Sequence, residues 1–250
     1  MTVPRPQPVR LYCVPYAGAT SSIYRPWQTA HGAAVRVIGI DPPGRGTRSR
    51  EPRVLDYREL VDSMANHVAV DLAQSWDQVS DLRYATFGHS FGAMLSLAVA
   101  DAVARAVGRP PERAIVSAAL PPALQPPGDE TAALTDDELL DKIRADGGTA
   151  PELLAHKAMA GYLVRLMRED YAIRRQFHRD DALLVGFPIT TLAARQDRYV
   201  TPEQMRRWAA HSTAQSRQVE IAGGHFAAFA DPANTLLIAH HQLNEHLVRR

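Results

Sequence analysis

The chain has 250 residues, of which 46% are hydrophobic and 22% are charged, a composition typical of one globular domain with a sizeable core. Its formal net charge of +1 argues against nucleic acid or a membrane surface as a partner, and its single cysteine, Cys13, excludes an internal disulfide. Neither a secretory leader nor an apolar stretch long enough to span a bilayer is present, so we expect a soluble, cytoplasmic monomer.

Short apolar runs alternate with helical patterns along the chain. Residues 1–9 are Pro-rich and polar, and we expect them to be frayed. Strands are predicted at residues 10–14, 35–40, 84–88, 114–119, 188–194 and 217–221. Asp56 is predicted to cap a helix that runs to about residue 73, and a helix at residues 91–107 is predicted to end at Gly108. A further helix is predicted at residues 232–248, and a short one begins at Pro202. Strands that alternate with helices indicate an α/β fold, a mostly parallel sheet flanked by helices.

Residues 121–187, between the fourth and fifth predicted strands, interrupt this alternation. They open with four prolines and continue with helical patterns at 136–146, 151–160 and 161–177. Long insertions in compact domains usually have a function, and ligands of open α/β sheets bind at the carboxyl ends of the strands. We interpret this segment as a helical lid inserted within a single domain of residues 1–250. The alternative is an insertion without a function of its own.

The pentapeptide Gly88-His89-Ser90-Phe91-Gly92 matches the G-x-S-x-G pattern of a nucleophile elbow. Such a pattern places the serine on a sharp turn between a strand and a helix, with its hydroxyl exposed above the sheet. The strand predicted at 84–88 and the helix predicted at 91–107 supply that context, and the alternative is an ordinary small-residue turn. The sequence therefore predicts an α/β-hydrolase fold with Ser90 as the nucleophile.

A serine nucleophile needs a base, and the chain has 10 histidines. His225 is favoured because Gly223-Gly224-His225-Phe226 lies between the sixth strand and the last helix, although it would also fit an ordinary turn. The other histidines fall in less suitable places. His240, His241 and His246 in the last helix resemble a metal cluster, but no carboxylate accompanies them at ligand spacing. We therefore expect those three to be exposed and predict no metal site.

The third member of the predicted triad is Asp197, which follows the fifth strand and precedes His225 by 28 residues. That interval accommodates one helix and one strand, so both side chains can meet above the sheet. The rival position after the fourth strand, residues 117–122, contains no carboxylate. The order Ser, Asp, His is also that of α/β-hydrolases. The alternative for Asp197 is a carboxylate at the entry of the Pro202 helix.

The oxyanion hole of this fold uses the backbone N–H of the residue after the nucleophile and one from the loop after the first strand. These positions correspond to Phe91 and to Ala17 in the loop Tyr16-Ala17-Gly18-Ala19. Two preorganised donors of this kind stabilise the charge that develops in the transition state.

Several motifs together resemble the type II thioesterases of nonribosomal peptide and polyketide assembly lines, nearly from end to end of the chain. The opening is similar to F-P-x-A-G, and the elbow stands where F-G-H-S-M-G-A is usual. The motifs are Cys13-Val-Pro-Tyr-Ala-Gly18, Tyr24-Arg-Pro-Trp27, Asp41-Pro-Pro-Gly-Arg-Gly-Thr47, Phe87-Gly-His-Ser-Phe-Gly-Ala93, Leu134-Thr-Asp-Asp-Glu-Leu-Leu140, Gly147-Gly148, Asp170-Tyr171 and Gly223-Gly-His-Phe226. Three positions depart from the family. Ala19 replaces a second glycine, Phe91 replaces methionine, and Asp197 lies in R-Q-D-R-Y rather than G-x-x-D.

The resemblance implies hydrolysis of acyl thioesters carried on the phosphopantetheine arm of acyl or peptidyl carrier proteins. It implies an editing role, the removal of aberrant acyl groups, with the lid gating a narrow acyl pocket. The implied Ser-His-Asp mechanism through an acyl-enzyme requires no metal and no organic cofactor. A general carboxylesterase and an acyltransferase or cyclase on the same fold remain alternatives. A catalytically inactive binding module ranks last, because Ser90, Asp197 and His225 are all present.

Overall fold

The computed structural model describes residues 8–29, 35–76, 82–126 and 130–244, and its centre is a six-stranded sheet. The strands are β1 (Val9–Val14), β2 (Val35–Gly39), β3 (Tyr84–His89), β4 (Ala114–Ser117), β5 (Ile189–Ala194) and β6 (Arg217–Ile221). All neighbouring strands are parallel, in the order β2-β1-β3-β4-β5-β6. The predicted α/β fold is confirmed, and the carboxyl ends of the strands share one edge of the sheet.

Five of the six strands differ from the prediction by one or two residues: β2 ends at Gly39, β3 continues to His89 and β5 begins at Ile189, while β1 and β4 differ in ways that have a physical reason. β1 begins at Val9, which is buried, although residues 1–9 were expected to be frayed; residues 1–7 lie outside the described ranges. β4 ends at Ser117, two residues early, because Ala118 has a φ of 53°. A residue in the left-handed region cannot continue an extended strand, so the chain turns away from the sheet there.

Helices cover both faces of the sheet. They are α1 (Arg25–Thr29), α2 (Tyr57–Trp76), α3 (Phe91–Val107), α4 (Asp136–Asp146), α5 (Pro151–Ala155), α6 (Lys157–Arg174), α7 (Pro202–Arg206), α8 (Ala227–Ala230) and α9 (Pro232–Asn244). Tyr12 and Val14 of β1 share a core with α2 and α3, whereas Leu11 and Cys13 share a second core with α1 and α9. Successive strand residues point to opposite faces, so β1 contributes to both cores of a three-layer structure.

Local signals mark several ends of the predicted helices, although α2 continues to Trp76 instead of ending at about residue 73, and α6 ends at Arg174 instead of continuing to residue 177. The Oδ1 atom of Asp56 accepts hydrogen bonds from the backbone N–H groups of Arg58 at 2.8 Å and Glu59 at 3.2 Å, so Asp56 caps α2 as predicted. α3 has the predicted bounds and ends at Gly108, whose φ is 69°. The last helix is described as far as Asn244, and the predicted helical residues 245–248 lie outside the described ranges.

The segment between β4 and β5 contains α4, α5 and α6. α4 has the predicted bounds, because Thr135 forms a capping box with Glu138 at its beginning. The predicted helix boundary between residues 160 and 161 is wrong: the chain breaks at His156, where ψ is 110°, and α6 continues through Gly161. A glycine inside a helix costs only about 1 kcal/mol relative to alanine, and the buried face of α6 outweighs that cost.

None of the helices in the described ranges is long and apolar enough to cross a membrane.

Candidate active site

Ser90 lies in the turn that joins β3 directly to α3. Its φ is 53° and its ψ is −120°, a strained conformation for a residue other than glycine, and its backbone N–H donates to the carbonyl oxygen of Ser117 at 2.8 Å. A Cβ added to Gly88 would lie 2.0 Å from the carbonyl oxygen of Gly92, and one added to Gly92 would lie 2.5 Å from that of Val14. Both glycines are therefore required for the strand and the helix to approach this closely.

Asp197 and His225 are brought together by the two neighbouring strands that precede them. β5 and β6 are parallel and paired, so the loops after Ala194 and Ile221 leave the sheet side by side. The Nδ1 atom of His225 lies 2.9 Å from Oδ2 of Asp197. The loops are also joined to each other, since the backbone N–H of Gln196 donates to the carbonyl oxygen of Gly223 at 3.0 Å. Sheet order thus creates a contact between residues 28 positions apart.

The Asp197 carboxylate is held from both sides. Its Oδ1 atom accepts hydrogen bonds from the backbone N–H groups of Tyr199 at 2.8 Å and Val200 at 3.3 Å. Burial alone would raise the pKa of Asp197, but the hydrogen bond and charge of His225 and the two N–H groups outweigh burial, and the pKa is lowered. An ionised carboxylate only accepts hydrogen bonds, so Nδ1 of His225 carries the hydrogen and Nε2 presents a basic lone pair.

Aromatic rings enclose His225. The rings of Tyr199, His89 and Phe226 have centroids 5.1, 5.1 and 5.2 Å from the His225 ring. His89, the residue before Ser90, is fully buried, and its Nδ1 atom lies 3.3 Å from the hydroxyl of Ser117. Burial, together with the charge of His225, holds the pKa of His89 well below its usual value, so the His89 ring is neutral. The His225 ring therefore packs against an uncharged His89 ring.

Ala17 and Phe91 provide two backbone N–H groups near Ser90. Phe91 is the first residue of α3, and Ala17 lies in a turn closed by the N–H of Ala19, which donates to the carbonyl oxygen of Tyr16 at 3.0 Å. In the described ranges, neither of these two N–H groups donates a hydrogen bond to the protein. Gly18 has a φ of 75° and requires a glycine, whereas Ala19 does not, since its φ is not positive.

Ser90, Ala17, Phe91 and His225 line one cavity of about 660 Å³ at the carboxyl edge of the sheet. Its other walls come partly from α4, through Lys142 and Asp146, and from α6 and the turn after it. The α6 side contributes Met167, Tyr171, Arg174 and Phe177. A more open groove of about 990 Å³ at the β2 edge contains none of the predicted site residues. The 121–187 segment thus builds one side of the cavity that holds the predicted nucleophile and base.

Sequence reasoning missed two polar groups around this cavity. One joins α4 to the loop after β5 and consists of Lys142, Asp146, Arg198 and Tyr199. The other is the buried ion pair of Arg45 and Asp170, which lies against the Ala17 turn. Lys142 and Asp146 are four residues apart on α4, but their contacts with Tyr199 and Arg198, like the contact of Arg45 with Asp170, join residues far apart in sequence, so no local pattern signals them. No cluster of three or more metal-ligating side chains occurs among the described residues, and His246 lies outside them.

Comparison with known proteins gives a consistent family. The sequence profile of the thioesterase domain matches residues 9–243. The chain is 28% identical to the linear gramicidin dehydrogenase LgrE of Brevibacillus parabrevis, over 96% of this chain and 89% of LgrE. It is 30% identical to RedJ, a thioesterase from the prodiginine biosynthetic pathway in Streptomyces coelicolor, with a TM-score of 0.77 over 96% of this chain and 94% of RedJ. The type II thioesterase BorB from the borrelidin biosynthetic cluster is 26% identical, with a TM-score of 0.78 and the same coverage of 96% and 94%.

Proposed function

This chain belongs to the thioesterase family, and on that premise we propose that it hydrolyses acyl thioesters from carrier proteins through an acyl-enzyme on Ser90. The observation that carries the proposal is the contact of His225 with Asp197 at 2.9 Å, together with the cavity that His225 and Ser90 both line. A base held by an ionised carboxylate beside a strained serine is the arrangement that nucleophilic acyl transfer requires.

The reaction proceeds in two halves. Nε2 of His225 takes the proton of the Ser90 hydroxyl as Oγ attacks the thioester carbonyl carbon, and the N–H groups of Phe91 and Ala17 bind the oxyanion. The carbon–sulfur bond then breaks, and the thiol leaves with the proton from His225. In the second half His225 takes a proton from a water molecule as the water oxygen attacks the acyl carbonyl carbon. The bond from that carbon to Oγ of Ser90 then breaks, Oγ takes the proton back from His225, and the carboxylic acid leaves. Asp197 keeps the His225 ring in the correct tautomer and stabilises its charged form throughout.

The 121–187 segment is proposed as the lid of this site within a single domain. α4 and α6 form walls of a cavity of about 660 Å³, within the range of volumes of small-molecule binding sites. Phe91 and Phe177 stack with ring centroids 5.5 Å apart in the wall near α6, which gives that end an apolar surface. An acyl chain enters there while its thioester reaches Ser90, and the pantetheine arm lies in the opening that the lid leaves.

The proposed partner is an acyl or peptidyl carrier protein, and the proposed duty is the removal of aberrant acyl groups that block its phosphopantetheine arm. The support is that RedJ and BorB, which resemble this chain over nearly its whole length, are thioesterases of a biosynthetic pathway and a biosynthetic cluster. We propose that the chain acts as a monomer in the cytoplasm. The chemistry needs no metal and no organic cofactor, because the proposed side chains supply the nucleophile, the base and the oxyanion donors.

The name of LgrE suggests a second activity, hydride transfer, which the sequence of this chain does not favour. Dinucleotide-binding folds carry G-x-G-x-x-G in the turn after a strand, where the backbone cradles the pyrophosphate. The loop after β1 contains a single glycine, Gly18, and in the loop after β2, Ser49 follows Gly44 and Gly46 where the third glycine belongs. Hydrolysis at Ser90 is therefore the better supported activity.

The first test is Ser90→Ala, which removes the nucleophile and leaves the surrounding packing nearly unchanged. We expect turnover of an acyl carrier protein to fall at least roughly 10³-fold, with a melting temperature within about 2 °C of the parent. Mass spectrometry of the carrier protein measures the loss of the acyl group and identifies the product. A variant that keeps near-full turnover would show that Ser90 is not the nucleophile.

The same assay separates the remaining alternatives. A carrier-bound acyl thioester is compared with a free ester and a free acyl-pantetheine of the same acyl chain. A large preference for the free ester would point to a general carboxylesterase, and transfer of the acyl group to an amine or hydroxyl would point to an acyltransferase or cyclase. Failure of a fluorophosphonate probe to label Ser90 would favour a binding module.

A further inference from the structure

The turn Tyr16-Ala17-Gly18-Ala19 has little to hold it from within. Its closing hydrogen bond is the one from the N–H of Ala19 to the carbonyl oxygen of Tyr16, at 3.0 Å. Gly18 has a left-handed φ of 75°, and a glycine does not hold that conformation by itself, because it has access to many others. An N–H group that stabilises an oxyanion must have a fixed direction before the reaction begins. Something outside the turn therefore has to fix its peptide planes.

Asp170, on α6, contacts the turn through its side-chain carboxylate. Its Oδ2 atom accepts a hydrogen bond from the backbone N–H of Gly18 at 2.7 Å. The carboxylate is held by both terminal nitrogens of Arg45, with Nη1 at 2.8 Å from Oδ2 and Nη2 at 2.5 Å from Oδ1. Nη1 of Arg45 also lies 3.5 Å from the carbonyl oxygen of Ala19. The pair thus touches two successive residues of the turn.

The burial of this pair argues against a role in stability alone. The side chains of Arg45 and Asp170 are 5% and 0% exposed. Transfer of two charges from water into the protein interior is costly, and a buried ion pair often adds no net stability over apolar residues of similar volume. Such a pair does fix the relative orientation of its two side chains, because the two parallel hydrogen bonds of a bidentate guanidinium–carboxylate contact allow one arrangement.

Packing on α6 adds a second constraint on the turn. A Cβ added to Gly18 would lie 2.7 Å from Sδ of Met167, so the Met167 side chain occupies the space beside the glycine. Met167 and Asp170 are three residues apart on α6 and hence on neighbouring parts of one helix face. The turn is therefore enclosed by α6 through one apolar contact and one charged hydrogen bond.

We propose that Arg45 and Asp170 are positioning residues for catalysis, which hold the 16–19 turn so that the Ala17 N–H points at the developing oxyanion. The pair joins three separate parts of the chain, the loop after β1, the loop after β2 and α6. It follows that α6 is a fixed part of the catalytic wall, not a part of the lid that swings away. The inference rests on the proposed function, since it assumes that Ala17 is an oxyanion donor.

The test is Asp170→Asn, which keeps the side-chain shape but removes the charge and the two-pronged contact with Arg45. We expect kcat to fall roughly 10- to 100-fold, as for a small misplacement of a catalytic group, while KM stays within about twofold. The control is Glu169→Gln, the adjacent residue on α6, which forms an ion pair with Arg53 and has no recorded contact with the turn. We expect its kcat to stay within about twofold of the parent.

A second measurement separates positioning from general damage. A trifluoromethyl ketone analogue of the acyl pantetheine is attacked by Ser90 and then mimics the tetrahedral oxyanion. The affinity of the ketone is expected to fall in Asp170→Asn by the same factor as kcat, whereas a merely structural role would leave that affinity unchanged. If Asp170→Asn does not fold, the double variant Arg45→Gln with Asp170→Asn leaves no unpaired buried charge and replaces it in the test.

The outcomes are distinct. Four results would each overturn the positioning role. In Asp170→Asn they are a retained kcat, a rise in KM that accounts for the whole loss of kcat/KM, and an unchanged affinity for the ketone. In Glu169→Gln it is a loss of kcat equal to that in Asp170→Asn. A parent enzyme that prefers free esters over carrier proteins would overturn the proposed substrate instead. In that case the positioning role is tested with the preferred ester, by the ratio of kcat in Asp170→Asn to kcat in the parent.

Discussion

Asp197 shows how one side chain can serve two purposes with its two oxygen atoms. Oδ1 accepts from the N–H groups of Tyr199 and Val200 and fixes the loop after β5, while Oδ2 faces Nδ1 of His225 at 2.9 Å. The lowered pKa of Asp197 keeps its carboxylate ionised at neutral pH, so Oδ2 is available to accept the hydrogen of His225 Nδ1.

The prediction at this scale is that Asp197→Asn lowers kcat by roughly 10³- to 10⁴-fold with little change in folding. The asparagine oxygen can still accept from the backbone of its own loop, but its NH₂ group cannot accept the hydrogen of His225 Nδ1. The ring then prefers the tautomer with the hydrogen on Nε2 and cannot take the proton of Ser90. Steady-state kinetics measure the loss, and Asp181→Asn, at an exposed aspartate, is the control. A fall of less than about tenfold would remove Asp197 from the triad.

Two glycines in different elements differ in whether their positions have room for a side chain. Gly88 lies in the elbow, where a Cβ would be 2.0 Å from the carbonyl oxygen of Gly92 and 2.4 Å from Oγ of Ser96. Gly161 lies inside α6 with nothing within 4 Å of its added Cβ. Gly88 is therefore required by the close packing of β3 against α3, whereas Gly161 only lowers the helix propensity of α6.

We accordingly predict that Gly88→Ala and Gly161→Ala change stability with opposite signs. Gly88→Ala should lower the free energy of unfolding by about 3 kcal/mol or more, because backbone rather than a flexible side chain must move. Gly161→Ala should raise it by about 0.5–1 kcal/mol through helix propensity and the entropy of the unfolded chain. Urea titrations measure both values, and a loss of stability in Gly161→Ala would contradict the placement of Gly161 in a regular, exposed turn of α6.

At the scale of the whole molecule, a polar latch joins the proposed lid to the loop after β5. We use this name for Lys142, Asp146, Arg198 and Tyr199. Nζ of Lys142 donates to Oδ2 of Asp146 at 2.7 Å and to the hydroxyl of Tyr199 at 2.9 Å, and Nη2 of Arg198 donates to Oδ1 of Asp146 at 2.6 Å. Tyr199 is 43% exposed, so water competes for these bonds and the latch is weak enough to open.

We predict that Asp146→Ala frees α4 without affecting the sheet. Hydrogen exchange of residues 136–146 should rise about tenfold, the factor that corresponds to roughly 1.4 kcal/mol, while β3, β4 and α6 exchange as before. Asp141→Ala is the matched control, because Asp141 is on the same helix and its recorded partner is Arg144, also on α4. Unchanged exchange in α4, or equal changes in α4 and the sheet, would rule out the latch as the connection that holds the lid.

The sequence by itself determined the order and type of the main elements, because the signals involved are local. Apolar runs gave the six strands, Asp56 and Gly108 marked helix ends, and G-x-S-x-G marked the turn at Ser90. The motifs also gave the correct family, which the thioesterase profile over residues 9–243 confirms. The wrong boundary near Gly161 shows the limit of such signals, since a weak local preference was overcome by the packing of α6.

The order of motifs predicted that Asp197 and His225 meet, but only the tertiary structure supplied the reason for that contact and revealed the contact of Arg45 with Asp170. Asp197 approaches His225 because β5 and β6 are neighbours in the sheet, an order that no single strand pattern specifies. Arg45 and Asp170 are 125 residues apart, and their contact depends on how α6 packs across two loops. Hydrogen bonds and ion pairs act over a few ångströms, whereas sequence patterns report the conformation of a few neighbouring residues. The assembly of the site therefore follows from the packing of the fold.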